Sequence, residues 1–188
     1  MNNSAADRRS PLIPFKDLAG NPRVWHETAH DLIYSANLLV EAVQDREGRK
    51  TNTEGRRPIV WRTLMMLYGL AAENLIKGII VARYPSLASE GKLPQWFTKH
   101  NLAALARRAH LPVPLSQEHL LKRLQHFVEC GKYPVGRREG EGRSTWVFSE
   151  PLDSSDAVRL LQYLEEELER ASGGFVVASS GLRGLHRR

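Results

Sequence analysis

Glu73 and Lys77 stand four residues apart in the stretch PIVWRTLMMLYGLAAENLIKGIIVAR, residues 58–83. On a helix they share one face, acid N-terminal to base, which is the favourable order for an ion pair. As a buried pair they would fix how this helix sits against its neighbours; Lys77 is also a candidate ligand contact. His100 and Asn101 open a short helix farther along, where an imidazole can accept a hydrogen bond. His100 acts there either as a base or nucleotide contact, or as a cap bonded to Glu73 or to a carbonyl inside the bundle. Asn101 is a candidate contact beside it. A third group is Tyr133-Pro134 with Arg137, Arg138 and Arg143: a ring among guanidiniums can stack a base and hold phosphates, or the tyrosine simply anchors its loop. His26 and His30 have metal-ligand spacing, but no nearby cluster completes a site, so no metal is expected. No glycine-rich phosphate loop follows a strand and no Ser-His-Asp arrangement can be assembled, so no cofactor is expected either.

These residues need a frame, and the frame is helical. Residues 58–83 are apolar on nearly every side, the pattern of a helix surrounded by others. Pro58 fits its first position, and Tyr84-Pro85 stops it, because the residue before a proline avoids the α region. Arg62, Glu73, Asn74 and Lys77 interrupt any window that could sit in lipid, so a buried helix rather than a membrane span is expected. Before it, Asn21 caps a helix that opens on Pro22 and runs to about Asp45, with an apolar stripe from Trp25 through Ala29, Ile33 and Ala36 to Val43. After it comes a loop over 84–97 whose Trp96-Phe97 end packs back onto the core. Then follow a short helix over 101–109, one from Ser116 to about Cys130, and a last one from Asp153 or Ser154 to about Ala171. Five helices and no strand predict an all-α bundle over 21–172, with an arm at 1–20 and a basic, disordered tail at 173–188.

The chain is long enough for one domain with a sizeable core. Its 27 lysines and arginines against 21 acids give a net charge of +6, and the surplus is uneven. Residues 46–57 set five cations against two acids, residues 132–143 four against two, and the tail carries three arginines and no acid, while the remainder is net acidic. Mobile cations on loops can meet phosphates, or can merely keep a protein soluble. The single cysteine, Cys130, excludes an internal disulfide. With no secretory signal pattern at the start, a cytoplasmic location is expected.

AAENLIKGIIVAR at 71–83, KHNLAALAR at 99–107 and GKYPVGR at 131–137, in that order, resemble the HEPN-domain family over residues 22–170. In that family a central helix carries A-x-E-x-x-x-K, a short helix begins with His-Asn-Leu or His-Asp-Leu, and a Gly-Arg-Tyr-Pro-like segment follows the next helix. The resemblance implies a five-helix, homodimeric HEPN-like bundle linked to RNA or nucleotides. Many members are metal-independent endoribonucleases of defence or toxin–antitoxin modules, and others only bind RNA or partner proteins. Catalytic members use Arg-x(4–6)-His, the arginine steadying phosphate charge and the histidine moving protons at the 2′-hydroxyl. Arg23 and His30 are the one pair here at that spacing, on the first helix instead of late in the bundle, and nothing from Arg123 to Ala171 supplies the motif. The competing expectation is a non-catalytic helical module that engages a partner protein.

Overall fold

The computed structural model describes residues 14–48, 57–131 and 152–174, and among them the secondary structure is entirely helical. Its helices are α1 (Phe15–Ala19), α2 (Pro22–Gly48), α3 (Arg57–Arg83), α4 (Leu102–Arg108), α5 (Leu115–Gly131) and α6 (Leu152–Ala171), with a 3₁₀ turn at Pro85–Ala88. The all-α bundle expected from the sequence is what forms, with α3 at its centre. That helix packs against α2, α4, α5 and α6. Of its most apolar window, 78% lies inside the protein, so its length and hydropathy are accounted for by the core. Tyr68, Leu75, Ile76, Ile79 and Ile80 are fully buried along it. Each such aliphatic side chain removed from water stabilises the fold by about 1.5–3 kcal/mol.

Two glycines set how closely the neighbours approach. A Cβ on Gly69 would lie 2.7 Å from Val128 Cγ2 and 2.9 Å from the Leu124 carbonyl oxygen, so α5 runs against bare backbone at this point. At Gly78 the corresponding neighbours are Trp25 Cβ on α2 and the Leu168 methyls on α6, each at 3.2 Å. Both contacts are tighter than a side chain permits without displacement.

Several boundaries differ from the sequence reading. The segment expected to be an arm contains α1, because Ala19 is buried and its carbonyl accepts a hydrogen bond of 3.0 Å from Trp25 Nε1. A five-residue helix is too short to show a period, and here a tertiary bond orders it. Among the described residues there are therefore six α-helices and not five. The central helix starts at Arg57, one residue before Pro58, α2 extends to Gly48, and α6 begins at Leu152, which puts Asp153 and Ser154 inside its first turn. Asn21 does cap α2, its Oδ1 accepting from the Arg23 N–H at 3.0 Å. Past the end of α6, Gly173 and Gly174 take φ of 77° and 83°, and the Gly174 N–H returns to the Glu169 carbonyl at 3.0 Å. That left-handed closure is the reason glycine stands there. Phe97 is fully buried, as expected of the aromatic end of the 84–97 loop.

Candidate functional site

The Glu73 carboxylate lies inside the bundle on α3, 4% exposed, and is gripped from two directions. Lys77, one turn on, donates to its Oε1 at 2.5 Å. Lys77 is itself buried at 7% exposure, and its Nζ sits 5.4 Å from the centre of the Phe97 ring and 5.8 Å from that of Trp25. Those rings meet edge to face at 5.4 Å. An ammonium taken out of water is thus compensated by one carboxylate and two aromatic faces, the arrangement that makes a buried cation tolerable. The helical register places Glu73 beside Lys77; α2 supplies Trp25 and the turn before α4 supplies Phe97.

His100 Nδ1 lies 2.8 Å from the second oxygen, Glu73 Oε2. An ionised carboxylate only accepts, so Nδ1 carries a proton and donates to it. The two side chains differ sharply in environment, 5% exposed for Glu73 and 37% for His100. A buried acid orienting a half-exposed imidazole is the geometry by which a histidine is prepared for proton transfer. Of the structural expectations for His100, the bond to Glu73 forms, while the cap of α4 is Asn101, whose Oδ1 accepts from the Ala104 N–H at 3.0 Å.

The segment that carries His100 is basic. From Tyr84 to Arg108 the chain sets Lys92, Lys99, Arg107 and Arg108 against Glu90 alone. Arg107 reaches Glu118 on α5 at 3.1 Å. Lys92, Lys99 and Arg108 are exposed and have no ion pair among the described residues. The Arg108 guanidinium instead lies 4.3 Å over the ring of Trp96, which packs edge-on to Phe97 at 5.7 Å. One continuous set of contacts therefore runs from Arg108 through Trp96, Phe97, Lys77 and Glu73 to His100. A cavity of about 540 Å³ lies elsewhere, between α1, the start of α2 and the Pro85–Ala88 turn, lined by Lys16, Asp17, Asn21 and Ser89 among others. It holds no arrangement of acid, base and aromatic comparable to this one.

No family model, curated protein or solved structure matches this chain.

The other residues singled out in the sequence are not gathered here. Arg23 pairs with Glu27 at 2.8 Å on an exposed face of α2. His30 lies near His26, the ring centres 6.3 Å apart. Burial first, and then His30, hold the His26 imidazole below its ordinary value of 6.5, and Arg23 adds slightly to that while Glu27 and Glu169 oppose it. Two histidines and no third ligand leave no group of metal ligands there or anywhere among the described residues. Tyr133, Arg137, Arg138 and Arg143 lie outside the described residues, as do most of the basic stretches at 46–57 and 173–188. Trp96 and Arg108 went unnoticed as site residues. The signal for them was present: from Tyr84 to Arg108, the stretch that holds Trp96-Phe97 and runs to the end of α4, there are four cations and one acid.

Proposed function

We propose that this chain is a HEPN-like, RNA-associated helical protein of a defence or stress module in the cytoplasm, binding RNA at the face around α4 and, where it cleaves, using His100 for proton transfer at the 2′-hydroxyl. The observation that carries this reading is the half-exposed His100 imidazole held by buried Glu73, in a segment where Lys92, Lys99 and Arg108 have no ion pair among the described residues. Unpaired lysines and arginines attract phosphates, and the neutral imidazole accepts a hydroxyl proton without a metal. Glu73, Lys77 and His100 thereby take the place that the family's Arg-x(4–6)-His motif holds in its catalytic members.

The test is retention and cutting of labelled total RNA in chelator across a salt series, with wild type beside Lys99→Ala/Arg108→Ala and His100→Gln. Retention that weakens steeply with salt and in the double variant supports RNA binding, and cutting lost in His100→Gln assigns the proton transfer. Retention indifferent to salt and to both variants overturns the reading.

A specific observation favours a companion reading, assembly with a second copy or a partner protein. Tyr34 and Leu38, one turn apart on α2, are 60% and 48% exposed. Two large apolar side chains on one helix face suit a protein contact. Sedimentation of wild type against Tyr34→Lys/Leu38→Lys measures it: an oligomer that dissociates in the variant supports the contact, and a monomeric wild type removes the homodimer.

A further inference from the structure

We infer that Arg108 and Trp96 form a stacking platform for one unpaired nucleobase, so that the nucleic acid this face takes is single-stranded. The inference rests on the RNA reading above and specifies the form of RNA.

Arg108 closes α4 and is exposed, yet among the described residues its guanidinium meets no carboxylate, whereas that of Arg107 does. The Arg108 guanidinium lies over the indole of Trp96, its Cζ 4.3 Å from the ring centre. Stacking of this kind holds a planar guanidinium by its face and leaves its N–H donors pointing outward around the edge. Trp96 is in turn fixed from the side by the buried ring of Phe97 at 5.7 Å, so the layer rests on the core and not on a mobile loop tip.

A guanidinium fixed in this way offers two things to a nucleotide. Its outer face continues the aromatic stack, and a base splayed out of a helix can lie on it; its edge donors can hold a phosphate oxygen. A base still paired in a duplex cannot reach that face, which is why the platform selects single strands. Since every base has a π-face, the platform reads exposure of a base and not its identity.

The test measures binding of a fluorescent single-stranded oligoribonucleotide by anisotropy, beside the same sequence as a duplex and an abasic oligomer of equal phosphate number. Wild type is compared with Arg108→Lys, which keeps the charge and loses the plane, and with Trp96→Leu. The platform predicts that the single strand binds about tenfold tighter than the abasic oligomer and that both variants erase this preference. Arg108→Lys is on the surface, so its helical content serves as a check that the fold is intact. Equal binding of the three ligands by wild type, or full base preference in Arg108→Lys, overturns the platform while leaving RNA binding in place. No binding of any oligomer, with total RNA also unretained, overturns the parent reading together with it.

Discussion

Two buried glutamates in this bundle are each held by two basic side chains, and they lead to opposite outcomes. Glu167 on α6, 6% exposed, is paired with Arg83 of α3 at 3.2 Å and with Arg170 one turn along its own helix. Arg83 also donates to the Ala109 carbonyl at the end of α4. Both partners of Glu167 are guanidiniums, permanently charged, and the result is a lock between α3, α6 and the turn after α4. Glu73 is held instead by an ammonium, Lys77, and by an imidazole, His100. The same acid in similar burial thus meets two guanidiniums in one place and, in the other, one buried cation and a half-exposed ring. Tyr163, near the Glu167 lock, reflects the local field: burial first, and then the negative charge of Glu167, push its phenol above the usual range.

The contrast can be broken most severely at the lock. Arg83→Met leaves Glu167 with only its exposed neighbour Arg170 and strips the Ala109 carbonyl of its donor. Breaking a buried pair from one side costs about 3–5 kcal/mol, so urea unfolding of the variant should show a loss of that size with its RNA retention unchanged when folded. At the dyad the expected balance is reversed. His100→Gln keeps Glu73 paired with Lys77, and its cost in stability should be about 1 kcal/mol, the worth of one hydrogen bond, while any cleavage is abolished. A loss of stability at His100 equal to that at Arg83 would make the dyad a second lock.

A smaller effect concerns acid. His26 is held below its ordinary 6.5 by burial, so under mildly acidic conditions the unfolded chain binds a proton that the folded one refuses. The contribution of His26 is intact above that value and is lost as pH falls from 6.5 toward the folded value. Melting temperatures from about pH 7.5 to about pH 5 should fall in wild type and fall less in His26→Leu. Smallest of all is Arg23→Ala. Its pair with Glu27 is exposed on both sides, worth well under about 1 kcal/mol, and neither unfolding nor RNA retention should register its removal. A strong loss of RNA cutting in Arg23→Ala would instead restore the Arg-x(4–6)-His spacing as the catalytic motif.

The bundle was readable because α3 is apolar on all sides and its companions carry single stripes; those patterns are local and survive without knowledge of what packs on what. The Glu73–Lys77 pair was readable for the same reason, since helical spacing alone brings the two together. His100 lies 27 residues from Glu73, and only the return of the chain past α3 joins them. Arg107 and Arg108 show the limit most clearly. They are adjacent and chemically identical, but the turn of α4 directs one to Glu118 and the other onto Trp96. Which cations remain available to a ligand is a remainder left after every internal pair has formed, and no local pattern encodes a remainder. α1 was missed because its order comes from Trp25 and not from its own five residues.

Trp25 draws a last consequence. Its indole N–H ties down the carbonyl of Ala19, its Cβ abuts Gly78, and its ring walls the pocket around the Lys77 ammonium. A fragment starting at α3 would retain every polar atom of the dyad but would flood that pocket with solvent, unseating the lysine and with it the carboxylate. Dissection of this protein into smaller working pieces should therefore fail at the N-terminal side: the first long helix contributes no reactive group, and the chemistry cannot be separated from it.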